Sequence, residues 1–362
     1  MDKAGRVQGC MLGLAVGDAL GLTVEDKSLG QILEDYGPQG LRGYDLVNGY
    51  AAVSSYTQLL AWGCNGLLVG LTRGRLRGVM APYVRYLELA GRDWANCQRR
   101  RESGSICWVS RQASLQHRAT MEPLMPDSYL QQTPSTMEAP RNRFRSPGSL
   151  SLAVAAGVTL DPQMVPRQEI ARVGAEAVAL THGHPMAFLS GACLAWLVNT
   201  LVYEGVRLDR ELVEECARYL RGCYSSQYRQ AGELSMLLQS LPNLGRQRGS
   251  LWEKLEILGC DSADRVLAGA LLCLLNGEND PEEALTASVN HSGRSAACGS
   301  VTGALLGASQ GLHAIGEFYL ECLEPRQVLL ELADDVLCGC PMGRDSGLFD
   351  LEWDRKYVQM GR

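Results

Sequence analysis

Apolar residues recur along most of the chain at the three- to four-residue spacing of an α-helix. Two stretches show this spacing clearly, one at Leu194, Leu197, Val198 and Leu201 and one at Val266, Ala270, Leu271 and Leu274. Because this spacing places apolar side chains on one helix face, it predicts helices that pack against a core. Alternating apolar and polar positions, which are typical of strands, are scarce. The sequence therefore predicts an all-α fold, in one compact domain over residues 1–362.

Two of the predicted helices carry small residues at regular spacing. They are Gly9, Gly13, Ala15 and Gly17 near the start of the chain, and Gly299, Gly303, Gly307 and Ala308 near its end. Glycine inside a helix costs about 1 kcal/mol relative to alanine, so such a helix usually needs close approach to another backbone or to a ligand. These segments also contain Asp18 and Arg294, which favours tight packing in a soluble core over a membrane helix dimer.

The segment from about residue 91 to residue 147 differs from the rest of the chain. It is rich in Arg, Gln, Ser and Pro and shows no sustained period. Such a composition offers little apolar surface to bury. We therefore expect an irregular excursion from the helical domain, with fast amide exchange.

Composition and charge narrow the possible partners and the location. The chain has 46% hydrophobic and 20% charged residues and a formal net charge of −6, which argues against a general nucleic-acid binder. Apolar runs such as residues 268–275 are shorter than the roughly 20 residues of a membrane span. The first residues lack the layout of a secretion signal. We therefore expect a cytoplasmic protein with neither nucleic acid nor membrane as partner.

Thirteen cysteines are scattered along the chain. The pairs closest to a zinc pattern are Cys338 with Cys340, and Cys107 with its neighbours, and neither has a second pair at ligand spacing. Free cysteines commonly behave as small buried hydrophobes. The sequence therefore predicts structural thiols in a reducing compartment.

Three motifs stand out, at residues 9–21 with Glu25 just beyond, at residues 181–185 with His182 and His184, and at residues 290–308. In this order and at this spacing they resemble the ADP-ribosylglycohydrolase family, which includes the dinitrogenase reductase-activating glycohydrolases. The resemblance continues through residues 53–58, 65–68 and 72–77 and reaches the tail at residues 333–335, 339–342 and 355–357. It covers more than 300 residues and implies the all-α fold of that family.

The resemblance also implies a chemistry, which depends on two magnesium ions that position ADP-ribose and the attacking water. The metal-binding aspartates of the relatives correspond here to Ser55, Tyr56, Arg294 and Ala296, and an accompanying hydroxyl ligand corresponds to Ala297. Magnesium requires oxygen ligands, and an arginine adds repulsion where attraction is needed. We therefore expect no metal, no cofactor and no catalytic residues at these positions, as in an inactive relative.

A binding or regulatory role remains possible for such a chain. The candidate ligand-binding residues are Glu25, Ser54, Arg294, Ser295, His182 and His184. Arginine pairs well with phosphate, so one hypothesis is binding of ADP-ribose or a related nucleotide. A second is a regulatory protein with an empty cleft and a protein partner. A third is an active magnesium-dependent hydrolase that removes ADP-ribose from modified side chains, with carboxylates drawn from Asp18, Glu25, Asp334, Asp335 and Asp345.

Overall fold

The computed structural model describes residues 2–100, 105–119, 122, 125–277, 280–343 and 347–359. Across these ranges the chain is helical and contains no strand, only two isolated bridges. The helices are α1 (Lys3–Val24), α2 (Leu29–Tyr36), α3 (Ser55–Arg77), α4 (Tyr83–Gln98), α5 (Met125–Tyr129), α6 (Leu150–Thr159), α7 (Arg167–Ala179), α8 (Pro185–Glu204), α9 (Arg210–Tyr224), α10 (Gln230–Gly245), α11 (Leu251–Leu258), α12 (Ala263–Asn276), α13 (Pro281–Ala287), α14 (Ser295–Gln310), α15 (Glu317–Glu321), α16 (Arg326–Cys338) and α17 (Leu351–Trp353). The predicted all-α fold is confirmed.

Helices α1 and α14 run antiparallel in close contact along their glycine faces. A Cβ atom added to Gly17 would lie 1.9 Å from the carbonyl oxygen of Gly299, and one added to Gly13 would lie 2.2 Å from that of Gly303. No side chain fits such a gap, so the two backbones touch directly. The expected role of these glycines in close backbone packing is confirmed.

The interior of the domain is built around α8, with α6, α7 and α14 packed against it. Helices α1 and α8 are both long and apolar enough to cross a membrane, which corrects the expectation that every apolar run is too short. Their apolar windows are 83% and 94% buried inside the fold, respectively. Both helices therefore serve as core helices of this domain.

The irregular part of the chain begins later than residue 91. Helix α4 continues to Gln98, and Trp94 within it is fully buried. Beyond it, residues 105–119 form two 3₁₀ turns that bury Cys107 and Val109 against the core. The described part of the segment therefore buries more apolar surface than its composition indicated, although Phe144 is exposed.

Candidate functional site

The N-termini of α3 and α14 meet at a cavity of about 180 Å³. Their approach follows from the contact between α1 and α14, since a Cβ on Gly21 would lie 2.4 Å from the backbone of Ala296. The end of α1 therefore lies beside the start of α14. The cavity is lined by Leu22, Glu25, Asp26, Ser54, Ser55, Tyr56, Glu122, Gly148, Arg294 and Ala296.

Asp18 anchors the start of α3 beneath this cavity. Its carboxylate accepts hydrogen bonds from the backbone N–H and the hydroxyl of Ser54, at 2.9 and 2.5 Å, and from those of Thr57, at 3.1 and 2.6 Å. Burial raises the pKa of Asp18, although these four bonds oppose the shift. Because its hydrogen bonds are taken up by α3, Asp18 is a helix anchor and does not line the cavity.

Glu25 connects the end of α1 to the N-terminus of α14. One carboxylate oxygen accepts the backbone N–H of Ala296 at 2.8 Å, and the other lies 3.5 Å from a guanidinium nitrogen of Arg294. Burial raises the pKa of Glu25 more than these two partners lower it. The Arg294 side chain is 46% exposed, so its remaining N–H groups face the cavity and solvent.

Tyr56 occupies the first turn of α3 and lines the opposite wall of the cavity. The residue is only 8% exposed. Burial raises its pKa well above the ordinary value, and the negative charges of Glu122 and Glu25 act in the same direction. Its hydroxyl is therefore neutral at physiological pH, and its ring fills space in the cavity.

Glu122 is a cavity residue that the motifs did not indicate. Its carboxylate accepts a hydrogen bond from Nε2 of His182 at 3.0 Å and from the hydroxyl of Ser146 at 2.7 Å. Nδ1 of His182 lies 2.9 Å from the Ser149 hydroxyl. His182, expected as a cleft residue, is thus fully buried behind Glu122 and positions it. Glu122 lies in the segment without periodicity, so no signal in the sequence marked it.

The second oxygen of Glu122, Oε1, is buried and has no hydrogen-bond partner within the described part of the chain. A buried carboxylate oxygen without a partner is costly, and such atoms often mark a binding site. Burial alone would raise the pKa of Glu122, but the hydrogen bond and charge of His182 lower it below its ordinary value. The carboxylate is therefore ionised at neutral pH.

This lowered pKa predicts a pH-dependent stability. A carboxylate with a depressed folded-state pKa stabilises the protein fully above its ordinary pKa of 4.5, and the contribution is lost as the pH falls through the folded-state value. We expect Glu122→Gln to lower the free energy of unfolding at pH 6. The difference between wild type and variant should become smaller below about pH 4.5. Urea unfolding between these pH values measures this difference, and Glu321→Gln, at an exposed position, is the control. A deficit that widens toward acid would contradict this assignment.

Other residues expected at the site lie elsewhere. Ser295 is fully buried, and its hydroxyl donates to the carbonyl of His291 at 3.2 Å. His184 caps α8, because its Nδ1 accepts the backbone N–H of Met186 at 3.1 Å. Neither residue lines the cavity. Of the candidate ligand-binding residues, the structure brings Glu25, Ser54 and Arg294 together.

The remaining candidate carboxylates are also remote from the cavity. Asp334 accepts a hydrogen bond from Gln8, and Asp335 binds Lys356 and the hydroxyl of Tyr357. The contact of Asp334 joins α1 to α16, and those of Asp335 fasten the C-terminal segment to α16. Asp345 lies outside the described residues.

The residues around the cavity do not fit a pair of magnesium ions. Ser54 donates its hydroxyl to Asp18, and both oxygens of Glu25 are engaged by Ala296 and Arg294. Six oxygen ligands at close to ideal octahedral geometry are typical of magnesium. Arg294 and Tyr56 instead place a cation and an aromatic ring beside the two helix N-termini.

Three larger cavities lie elsewhere among the described residues. One of about 300 Å³ is bounded by Arg42, Trp252 and Asn290, and two of about 210 Å³ by Arg207 with Gln310 and by Arg210 with Asn276. The lining residues that belong to the three motifs are Leu306, which is apolar, and Asn290, whose amide is used to hold the backbone of Leu41. The smaller cavity at α3 and α14 is therefore the candidate site.

Comparison with known proteins points to one family. A family model described as ADP-ribosylglycohydrolase matches residues 1–345. No curated protein matches the chain at a significant level. A solved structure named "ADP-ribosylglycohydrolase-related protein complex" is similar with a TM-score of 0.60 and 22% identity, covering 93% of this chain and 99% of that chain. At this identity the structural likeness shows the fold alone, and the family model supports the resemblance drawn from the motifs.

Proposed function

The chain belongs to the ADP-ribosylglycohydrolase family, and we propose that it is a non-hydrolysing member that binds ADP-ribose or a related nucleotide without magnesium. The observation that carries this proposal is the position of Arg294. Its guanidinium stands at the N-terminus of α14 in the cavity, where the relatives that the motifs resemble carry an aspartate. One positive side chain thus replaces part of the charge that metal ions would bring.

The chemistry of the cavity suits a ligand with both phosphates and sugar hydroxyls. The Arg294 guanidinium is half exposed, and its nearest carboxylate oxygen, on Glu25, lies at 3.5 Å, which leaves donors for a phosphate. Glu122 lines the same cavity, and its ionised carboxylate is an acceptor group suited to the hydroxyls of a ribose. ADP-ribose carries two phosphates and two ribose rings, so it presents both kinds of group.

Loss of hydrolysis follows from the same residues. The dimagnesium mechanism needs carboxylates that hold the ions and a metal-bound water whose pKa is lowered. Ser55, Tyr56 and Ala296 supply no carboxylate, and Arg294 repels cations. We therefore expect no magnesium-dependent turnover.

Calorimetry with ADP-ribose, with and without Mg²⁺, tests the proposal. We expect binding whose affinity does not change with Mg²⁺ and is weakened roughly 10- to 100-fold by Arg294→Gln, since hydrogen bonds to charged groups contribute about 1.5–3 kcal/mol. Arg265→Gln is the matched control, because the Arg265 side chain is also 46% exposed with a carboxylate at 4.0 Å, but lies outside the cavity.

The other outcomes separate the alternatives. Absence of binding would overturn the proposal and favour a regulatory protein that acts through a protein partner. Binding that requires Mg²⁺ would mean that a metal site persists and would favour the active magnesium-dependent hydrolase.

A metal-independent hydrolase is the second candidate, because Glu25 and Glu122 line one cavity and their pKa values are shifted in opposite directions. Burial raises the pKa of Glu25, whereas His182 lowers that of Glu122. Such a pair can divide the roles of acid and base: Glu122 would take a proton from water as it attacks the anomeric carbon, and Glu25 would protonate the departing side-chain atom. Release of ADP-ribose from a modified arginine or serine peptide in the presence of a chelator, abolished by Glu122→Gln, would favour this candidate over simple binding.

A further inference from the structure

Three buried side chains with metal-binding atoms meet behind the loop that carries Arg294. They belong to Cys260, His291 and Cys298, and their sulfur and ring-nitrogen atoms lie within 4.8 Å of one another. Each of the three residues is fully buried. Across the part of the chain that the structure describes, this is the one group of three or more such ligands at that spacing.

Three separate elements bring these side chains together. Cys260 follows α11, His291 lies in the loop after α13, and Cys298 is in the first turn of α14. The backbone N–H of Arg294 donates to the carbonyl of Cys260 at 2.7 Å and fastens the two loops to each other. A Cβ on Gly293 would lie 2.5 Å from that carbonyl oxygen, so a glycine is needed for this approach.

The two sulfur atoms both lie close to Gly269 of helix α12. A Cβ on Gly269 would lie 2.6 Å from Sγ of Cys260 and 3.4 Å from Sγ of Cys298. Because Gly269 has no side chain, the sulfur of Cys260 can lie directly against α12 and close to that of Cys298. Both sulfurs are shielded from solvent.

Hydrogen bonding prepares His291 to be the third ligand. Its Nε2 lies 3.0 Å from the carbonyl oxygen of Ser288, which can only accept, so Nε2 carries the proton. The lone pair is therefore on Nδ1, which accepts the backbone N–H of Gly293 at 2.9 Å. Metal-binding histidines commonly donate their other ring N–H to a backbone carbonyl in this way. A metal would replace the Gly293 contact at Nδ1.

We infer that Cys260, His291 and Cys298 bind one thiophilic metal cation, Zn²⁺ or Cu⁺. Thiolate sulfur and imidazole nitrogen are ligands that both ions prefer. At metal–ligand distances of about 2.0–2.3 Å, the ligand atoms lie within about 4 Å of each other, so only small adjustments are needed. On binding, each thiol loses its proton to solvent, and the two thiolates balance the charge of Zn²⁺.

Metal analysis of the purified protein is the first test. The protein is prepared without a metal-affinity step or chelator, and its metal content is measured by inductively coupled plasma mass spectrometry. We expect one equivalent of Zn or Cu per chain, lost in Cys260→Ser and in Cys298→Ser. Cys216→Ser is the matched control, because Cys216 is equally buried but lies outside the cluster. Circular dichroism establishes that each variant is folded.

Competition titrations distinguish the two ions. The metal-free protein is titrated with Zn²⁺ against a chromophoric chelator and, under anaerobic conditions, with Cu⁺ against a copper(I)-specific chelator. The titrations measure how tightly the site holds each ion, and the metal analysis shows which ion the purified protein carries. Failure to take up either ion, or a disulfide between Cys260 and Cys298 in the protein isolated under alkylating conditions, would overturn the inference.

A spectroscopic test does not depend on the stability of any variant. Co²⁺ added to the metal-free wild-type protein should produce a thiolate-to-cobalt charge-transfer band in the near ultraviolet, because sulfur ligands donate to the ion. Zn²⁺ should then bleach this band. A cobalt spectrum without the charge-transfer band would mean that the sulfurs are not ligands. The proposed binding of ADP-ribose is independent of all these outcomes.

Discussion

Replacing Gly17 with alanine is expected to lower the free energy of unfolding by about 3 kcal/mol or more, toward the upper end of what overpacking costs. The added methyl group would lie 1.9 Å from the carbonyl oxygen and 2.3 Å from the carbonyl carbon of Gly299. Both contacts are with backbone, which cannot rotate away, so α1 and α14 would have to separate. Urea unfolding followed by circular dichroism measures the effect.

Gly5→Ala is the matched control for this prediction. Gly5 lies on the same helix α1, but nothing lies within 4 Å of a Cβ built there. Alanine is favoured over glycine in helices by about 1 kcal/mol, so this variant should be equally or more stable than the wild type. Equal unfolding midpoints for the two variants would show that the α1–α14 contact does not carry the stability we assign to it.

The same contact shows why much of this fold could be predicted from sequence. Helical periodicity is local, so sets such as Leu194 to Leu201 indicate α8 without knowledge of its neighbours. The glycines of α1 and α14 indicate a close approach because small residues in helices are costly unless something packs on them. The sequence does not show which element packs on each glycine face. Because two such faces can approach each other closely, the packing of α1 on α14 is the simplest arrangement.

The parts of the site that were missed depend on contacts between distant segments. Glu122 lies in a stretch without periodicity, and only the fold places it beside His182. Likewise, Cys260 and Cys298 are separated along the chain by α12 and α13, so no sequence spacing reveals that their sulfurs meet. A short sequence motif can indicate side chains that lie together on one helix or loop. Glu122 with His182, and Cys260 with Cys298, are instead brought together from separate elements.

The roles of polar residues near helix starts were also difficult to predict from the sequence. The sequence offered Asp18 as a candidate carboxylate of a hydrolase, and the structure shows a helix anchor, because four donors at the start of α3 converge on it. Ser295 and His184 also bind backbone groups. Side chains next to helix starts frequently satisfy free backbone groups, and which ones do so is decided by tertiary packing.

Restoring the acidic residues should recover magnesium binding. The variant carries five changes, which are Ser55→Asp, Tyr56→Asp, Arg294→Asp, Ala296→Asp and Ala297→Ser. Arg294 and Tyr56 matter most, because one repels cations and the other fills the cavity. We expect no Mg²⁺ binding by the wild type and clear binding by the variant in calorimetry, since several carboxylates at one place form an oxygen-rich site.

Thermal stability provides a second measurement of the same prediction. Without metal, the new aspartates lie near Glu25 and Glu122, and repulsion among them should lower the melting temperature. A metal that binds only the folded state stabilises it by about 2.7 kcal/mol at a hundred times its dissociation constant. The melting temperature of the variant should therefore rise with Mg²⁺, while that of the wild type should not.

The matched control replaces the four aspartates with asparagines and keeps Ala297→Ser. Asparagine has nearly the shape of aspartate but no charge, so this variant opens the cavity without creating an anionic site. It should remain insensitive to Mg²⁺. Single reversions should also have small effects, because ligands around one ion act together and their contributions are not additive. A magnesium-dependent melting temperature in the asparagine variant would show that space alone was limiting.

Restored binding need not restore hydrolysis, and we expect weak or no turnover from the five-fold variant. Catalysis requires the substrate to be held within near-attack distance of the water, and the loop that carries Arg145 leads to Gly148, which lines the cavity. The Arg145 guanidinium binds Asp264 at 2.7 and 2.8 Å and ties this loop to α12. Release of ADP-ribose from a modified peptide is the readout. Turnover at an enzyme-like rate by the unaltered protein, with Mg²⁺ present, would instead contradict the loss of the metal site itself.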